Sequence, residues 1–252
     1  MQIDLTGKII LVTGASRGIG GAITRFLGDA GATVAIHYNQ QMQPAEELAA
    51  AIGNGARTFQ ADLAVEKEAI QLFEKVLDCY KSLDGLINNA GIAMPSAIDK
   101  TDHLWLKAWH TTLTVNLSAA ALLCKKAVEH FLTKGEGRIV NITSRAAFRG
   151  DTPEFLAYAA SKGGLVSVTR SIARAYGSFG IKAFNIAPGF TETDMARKFT
   201  DLYGEEIALN DIVLNKLTAP NDIAPMVTLL MSGLADHATG CTIDINGGSY
   251  VH

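Results

Sequence analysis

Thr13-Gly14-Ala15-Ser16-Arg17-Gly18-Ile19-Gly20 is the stretch on which the fold turns. It lies between an apolar run at 8–13 (KIILVT), rich in β-branched residues, and a segment at 19–30 in which Ile19, Ile23, Phe26 and Leu27 recur at helical spacing. A short apolar run closed by glycine reads as a buried parallel strand, and the periodic segment as a helix packed on it. Gly14 permits a tight turn, Gly18 lets the backbone approach a pyrophosphate, and Gly20 lets the helix lie close to the sheet. The start of that helix then offers unpaired N–H groups and the positive end of a dipole to phosphates. A glycine-rich stretch alone is equally well explained as a plain turn; the strand before it and the helix after it carry the nucleotide reading.

The same alternation continues outward. Further strands are expected at 32–37 (ATVAIH), 57–61, 85–88 (GLIN), 137–143 (GRIVNIT), 181–187 and 242–246, and further helices at 46–52, 65–80, 106–131 and about 155–176. Strands alternating with helices imply a parallel sheet with right-handed crossovers. The expected fold is therefore α/β: a Rossmann-like doubly wound parallel sheet with helices on both faces, formed by one domain over residues 1–252, without internal repeats. Residues 191–217, polar and weakly periodic after Pro188-Gly189, read as a lid over a ligand, mixing Met195, Phe199, Leu202, Tyr203 and Ile207 with Asp194, Asp201, Glu205 and Glu206.

Composition narrows the function. The chain of 252 residues is 48% hydrophobic and 19% charged, a globular balance, and its net charge of −3 with no basic run disfavours nucleic acid as a partner. Cys79, Cys124 and Cys241 are far apart and form no CxxC pair, so they read as reduced thiols of a cytoplasmic protein. The polar residues 1–8 do not resemble a signal peptide, no apolar stretch reaches membrane-spanning length, and the six scattered histidines suggest no metal site.

The glycine spacing, GxxxGxG, resembles the TGxxxGxG fingerprint of the short-chain dehydrogenase/reductase family, and further motifs follow in that family's order over nearly the whole chain. Asp62-Leu63 is similar to the pair that contacts the adenine, Asn88-Asn89-Ala90-Gly91 to the NNAG motif, and Pro188-Gly189 to the turn beside the nicotinamide. Thr191 and Thr193 follow that turn, Thr193 where a family threonine bonds the carboxamide, and Asn246-Gly247-Gly248 resembles the family's ending. The resemblance implies a dinucleotide site built from Gly14, Ser16, Arg17, Gly18, Ile19, Gly20, Tyr38, Asn39, Asp62, Leu63, Asn89, Ala90, Gly91, Tyr158, Lys162, Pro188, Gly189, Thr191 and Thr193. Tyr38 and Asn39 fall where NAD users carry a ribose-binding acid; neither would repel a 2′-phosphate, and Arg17 supplies a positive charge. NADP(H) is the favoured cofactor, with NAD(H) the alternative.

For catalysis, Tyr158 and Lys162 are spaced i,i+4 and so share one helix face. A free tyrosine titrates near about 10, and a neighbouring ammonium should lower that value. Tyr158-Ala159-Ala160-Ser161-Lys162 resembles the family's YxASK, Ser144 its substrate-orienting serine, and Asn116 the helix-interrupting asparagine that holds a relay water. The resemblance implies an enzyme in which a hydride passes between the nicotinamide and a carbonyl or carbinol carbon while Tyr158 transfers the proton. The nearest subgroup is the 3-oxoacyl-acyl-carrier-protein reductases, through the run from Pro188 to Met195. Gly135 and Phe179 occupy the positions of that subgroup's carrier-docking arginines, with Lys134 beside the first, which weighs against a carrier protein as partner. A free ketone, sugar or other alcohol therefore stands beside a 3-oxoacyl thioester as substrate. A non-catalytic dinucleotide sensor is the rival from another class, and the intact Asn116, Ser144, Tyr158 and Lys162 argue against it. The Ser144–Tyr158 spacing is one residue longer than the family's, near 151–154, and the loop between Gly91 and Trp109 is slightly extended. The family resemblance also implies a homo-oligomer, dimer or tetramer, formed through the long helices, with Leu165, Val168, Ile172 and Ala175 as the contact stripe.

Overall fold

The computed structural model describes residues 3–197, 204, 209 and 212–251. Phe199, Asp201, Leu202, Tyr203, Glu205, Glu206 and Ile207, on which the lid expectation mostly rests, lie outside the described residues. In chain order the elements are β1 (Ile9–Val12), α1 (Gly18–Asp29), β2 (Thr33–Tyr38), α2 (Met42–Ile52), β3 (Arg57–Gln60), α3 (Glu66–Tyr80) and β4 (Gly85–Asn88). They continue with α4 (Asp102–Leu113), α5 (Ala119–Lys134), β5 (Gly137–Ile142), α6 (Ala146–Arg149), α7 (Leu156–Tyr176), β6 (Ile181–Pro188), α8 (Pro220–Met231) and β7 (Thr242–Ile245).

The strands form one parallel sheet in the order β3-β2-β1-β4-β5-β6-β7. Successive side chains on a strand point to opposite faces, which divides the core in two. Ile10, Val12, Val34, Ile36, Ile87, Val140 and Ile186 face α1 and α8, meeting Ile23, Leu27, Ile223 and Val227. Leu11, Ala35, Leu86, Ile139 and Ala183 face the other way, onto Leu72, Phe73, Val76, Leu123, Ala127 and Phe131 of α3 and α5. The doubly wound sheet expected from the alternation is thus the observed one. Its order reverses between β1 and β4, whose outgoing connections diverge and leave a crevice at the strands' carboxyl ends, where ligands bind in such sheets.

Three elements differ from the sequence reading. The helix expected at 106–131 is two helices, separated by one π turn at Thr114–Ser118. Helix α8 carries Pro225 in its interior, which conceals its periodicity; Pro220 in its first turn and the Asp222 carboxylate, accepting the Ala219 N–H at 2.8 Å, start it. The stripe expected to meet a second copy is also corrected. Leu165 and Ile172 are buried within the chain itself and Val168 packs on the same core. Of the four, only Ala175 is exposed, on the side of α7 that carries Ser167, Arg170, Ser171 and Arg174.

Phe131 is fully buried, and its ring lies so close to Gly137 that a Cβ there would fall 2.1 Å from Phe131 Cγ. Phe131→Ala should therefore cost about 3–5 kcal/mol of stability. A urea titration that leaves the unfolding midpoint unmoved would contradict this packing.

Candidate active site

The loop from Thr13 to Gly20 is held from below. Thr13 Oγ1 accepts the N–H groups of Asn89 and Ala90, each at 3.0 Å. Asn89 Nδ2 donates to the carbonyls of Thr13 and Gly14, each at 2.9 Å, so its amide nitrogen is committed to the loop. Gly14 takes φ +61°, and a Cβ there would meet Ala90 Cα at 2.9 Å, so only glycine fits between the two loops. A Cβ on Gly20 would lie 2.2 Å from the Gly14 carbonyl oxygen, which is how α1 approaches the loop so closely. No side chain caps α1, whose first N–H groups face the crevice at the end of β1. Left-handed glycine turns leading into an uncapped helix suit a pyrophosphate, so these residues fit a dinucleotide.

His37, which the sequence reading passes over, secures the same loop from β2. Its Nδ1 accepts the Gly14 N–H at 3.0 Å and its Nε2–H donates to the Ala61 carbonyl at 3.1 Å, which makes the ring neutral. Burial pushes its pKa down to about 4, against weaker opposing effects of the Ala61 hydrogen bond and Asp62. Inside a strand of apolar neighbours, this histidine has no sequence signal to separate it from filler. Tyr38 ends β2 and Asn39 follows it exposed, while Asp62 Oδ1 accepts the Ala64 N–H at 2.9 Å and Leu63 is buried in the core.

The four residues of the expected catalytic set converge. Ser144 stands just beyond β5, its Oγ accepting the Ala146 N–H at 3.1 Å and near enough to the Tyr158 hydroxyl of α7 to lower its pKa. Lys162, one turn further along α7, is buried; its Nζ donates to the Ile142 carbonyl at 2.8 Å and stands 5.7 Å from the Tyr158 ring centroid. A Cβ on Gly91 would lie 3.5 Å from Lys162 Nζ and 3.4 Å from Asn116 Oδ1, so the loop after β4 runs against both side chains. Asn116 sits in the π turn, with Oδ1 accepting the Ile92 N–H and Nδ2 donating to the Ile92 carbonyl, both at 2.8 Å, and to Ser161 Oγ at 3.1 Å. Its amide is therefore filled by protein partners, where the sequence reading assigns it a water.

Electrostatics also depart from the sequence expectation. Burial pushes the Tyr158 hydroxyl up to about 12, opposed by its Ser144 hydrogen bond and reinforced by the nearby Asp151 carboxylate. Burial likewise draws Lys162 down to about 8. Desolvation thus outweighs the attraction expected between ammonium and phenolate, because Nζ is turned to a carbonyl rather than to the phenol. In the chain alone, Tyr158 is a neutral phenol at pH 7.

Beneath the site runs a polar row that crosses the sheet. Asn88, Asn141, Asn185 and Thr242 are register partners on β4, β5, β6 and β7. Asn88 Nδ2 donates to Asn141 Oδ1 at 2.9 Å, Asn141 Nδ2 to Thr169 Oγ1 at 2.7 Å, and Asn185 Nδ2 to Thr242 Oγ1 at 3.3 Å. Thr169 Oγ1 links the two halves, at 2.6 Å from Asn185 Oδ1. The free thiol of Cys124 lies in the same row, accepting from Asn88 Nδ2 at 3.2 Å, and burial pushes it up to about 12.

The rim comes from three loops. Buried Ser96 donates its N–H to the Glu154 carbonyl at 2.7 Å, tying the loop after β4 to the lengthened stretch before Tyr158. Arg145, only 7% exposed, places its guanidinium 4.9 Å from the Phe190 ring centroid, just beyond Pro188 and Gly189. Thr191 Oγ1 donates to the Gly189 carbonyl at 3.2 Å, and Thr193 Oγ1 accepts the Ala196 N–H at 3.3 Å, capping a helical turn at 194–197. Among the described residues no cluster of His, Cys, Asp and Glu is arranged to hold a metal ion, and no helix is long and apolar enough to cross a membrane.

A family model described as Enoyl-(Acyl carrier protein) reductase matches residues 14–250. The 3-oxoacyl-[acyl-carrier-protein] reductase FabG of Aquifex aeolicus is 35% identical, over 99% of this chain and 100% of the relative. The 3beta-hydroxysteroid dehydrogenase 1 of Eggerthella lenta is 34% identical, over 98% of this chain and 95% of its own. A crystal structure of a dehydrogenase/reductase from Sinorhizobium meliloti 1021 superposes with a TM-score of 0.91 at 31% identity, covering 99% of this chain and 98% of that one.

The His37 geometry has a pH signature. Its folded value of about 4 lies below the ordinary 6.5, so only the unfolded chain takes up the proton between the two. The stability it contributes is present above pH 6.5 and is lost as pH falls toward about 4, roughly 3 kcal/mol in all. Denaturant titrations across that window should show His37→Ala with a pH slope shallower than the parent's by up to about 1.4 kcal/mol per pH unit. Equal slopes would contradict the buried neutral ring.

Proposed function

The chain belongs to the short-chain dehydrogenase/reductase family of oxidoreductases, which act on carbonyl and alcohol carbons with a nicotinamide cofactor, and from this we propose an NADP(H)-dependent reductase of a small carbonyl substrate. The observation that carries the proposal is the meeting of Ser144, Tyr158, Lys162 and Asn116 beside the glycine loop, at the carboxyl ends of β4 and β5. The dinucleotide would be held by Gly14 to Gly20, by Tyr38, Asn39, Asp62 and Leu63 at its adenosine end, and by Asn89 to Gly91 and Pro188 to Thr193 toward the nicotinamide. Hydride exchange with the substrate carbon is the chemistry that a nicotinamide held there would supply.

The chain's own residues do the rest. Ser144 offers its hydroxyl to the substrate oxygen and steadies the charge that develops on it. Tyr158, as the neutral phenol, gives its proton to that oxygen during reduction. Lys162 faces the Gly91 edge of the crevice, where it can bond the nicotinamide ribose and replenish the proton. With its amide filled by Ile92, Asn116 fixes the π turn, so a relay water would bind the backbone of that turn. NADP(H) is favoured over NAD(H) because no carboxylate stands at Tyr38 or Asn39 and Arg17 is at hand.

A 3-oxoacyl thioester is the second reading, supported by the FabG relatives. Delivery by a carrier protein fits less well: Lys134 Nζ is engaged by Asp84 and by the Leu83 carbonyl, Gly135 has no side chain, and Phe179 presents an exposed ring. A cytoplasmic homo-oligomer, dimer or tetramer, completes the proposal. Exposed Leu104 and Leu106 of α4 and Leu132 of α5 support an interface on those helices.

Tyr158→Phe should lower turnover by at least about 100-fold while cofactor affinity stays within twofold. Near-normal turnover would exclude Tyr158 as proton donor. In the parent, alcohol oxidation should climb as pH rises from 7 to 10, because it needs the phenolate of a group held near about 12, whereas carbonyl reduction should not climb. Parallel profiles in the two directions would contradict the neutral phenol. Titrations should show NADPH bound more tightly than NADH, with Tyr38→Asp weakening NADPH; an NADH preference would overturn the cofactor assignment.

A further inference from the structure

Arg17 occupies the residue just before α1, and its guanidinium is committed to an ion pair with the Asp194 carboxylate. The partner is distant in sequence, on the helical turn that follows the nicotinamide-side loop. The two segments touch beside the pair, since a Cβ on Gly18 would come within 3.3 Å of Thr193 Cγ2. Asp194 has a second cation within reach: Arg197 Nη1 lies 3.8 Å from its other carboxylate oxygen. The pair thus bridges the glycine loop and the nicotinamide-side segment across the crevice that a dinucleotide would fill. Among the residues assigned to the adenosine end, Tyr38 and Asn39 are uncharged, which leaves Arg17 as the cation there for a 2′-phosphate. One guanidinium has two anionic claimants.

We propose that Asp194 competes with the 2′-phosphate of NADPH for Arg17, and so sets how strongly the enzyme distinguishes NADPH from NADH. This rests on the reading that Arg17 meets the 2′-phosphate. The ion pair is open to water, with the Arg17 side chain 60% and the Asp194 side chain 46% exposed, so it opposes the phosphate weakly and does not block it. A phosphate with up to two charges and three acceptor oxygens outbids a carboxylate for a planar guanidinium. When Arg17 turns to the phosphate, Asp194 keeps Arg197, so no charge is stranded. NADH, with hydroxyls in place of the phosphate, makes no claim on Arg17 and leaves the pair intact. Asp194 is therefore a residue that determines cofactor specificity by acting through Arg17, without touching the cofactor itself.

The test is a double-mutant cycle read by NADPH and NADH titration at low and at high salt. Asp194→Asn should tighten NADPH about two- to fivefold and leave NADH unchanged, with the gain shrinking as salt rises. In an Arg17→Ala background the same substitution should do nothing to NADPH. The proposal falls if Asp194→Asn leaves NADPH unchanged or weakened, if it tightens both cofactors alike, or if its gain persists without Arg17. In that last case the carboxylate acts on the cofactor directly. Arg17→Ala alone separates this from failure of the underlying reading. If that variant leaves the NADPH-to-NADH affinity ratio unchanged, Arg17 does not read the phosphate and both ideas fall. If it narrows the ratio while Asp194→Asn is silent, the competition alone is wrong.

Discussion

The amide of Asn89 joins the ends of β1 and β4, and the geometry of the crevice depends on that junction. In a doubly wound sheet the crevice opens only where neighbouring strands send their connections to opposite faces. Here those neighbours are β1 and β4, and beyond the strands the backbone ties the glycine loop through Thr13 N–H to the Ile87 carbonyl and Ala15 N–H to the His37 carbonyl, both at 2.9 Å. Asn89 and Thr13 add side-chain bonds, two from Asn89 Nδ2 and two N–H groups accepted by Thr13 Oγ1, so the glycine loop and the NNAG-like loop are placed as one piece. Each such bond contributes on the order of 1 kcal/mol, but leaving a buried carbonyl or N–H unpaired would cost more, which makes the arrangement close to all-or-none. His37 adds a third tie from β2 by taking the Gly14 N–H.

The same logic governs the catalytic side. The polar row from Asn88 to Thr242 and the Lys162 bond to the Ile142 carbonyl place hydrogen-bonding groups deep beneath the site, where nearly all find partners among the described residues, Asn88 Oδ1 being an exception. In return, β4, β5, β6 and α7 are held in one register, and Ser144 and Tyr158 inherit their separation from it. That enclosure also explains the proton inventory. Desolvation keeps Tyr158 a phenol, ready to donate, and keeps Lys162 easier to deprotonate than a surface lysine. An environment that disfavours both charges suits a site that must deliver a proton and then recover it.

Much of this is legible in the residues alone, and the boundary of legibility has a physical origin. The glycine loop, the strand-end motifs and the Tyr158–Lys162 pair are local patterns, set by turn geometry and helical spacing, and they lie in the structure where those rules put them. His37, the register row of asparagines, the Ser96–Glu154 tie and the Arg17–Asp194 pair join residues far apart in sequence, so no local window contains them. Where a local pattern had two readings, tertiary packing chose: the α7 stripe of Leu165 and Ile172 is apolar because the chain's own core covers it. The raised pKa of Tyr158 escapes local pattern for a related reason. Spacing shows that Lys162 is near, but only the three-dimensional arrangement shows that its ammonium is turned to a carbonyl and that burial dominates.

In the proposed function the glycine loop and the Ser144–Tyr158–Lys162 group are two halves of one site, which a single dinucleotide would bridge. The most direct measurement is a crystal structure of the chain grown with NADPH. The pyrophosphate should lie on the N-terminus of α1 and the nicotinamide ring beside Tyr158, with room for one carbonyl group between the ring, the Tyr158 hydroxyl and Ser144. A dinucleotide whose pyrophosphate lies elsewhere, or whose nicotinamide ring points away from Tyr158, would contradict it.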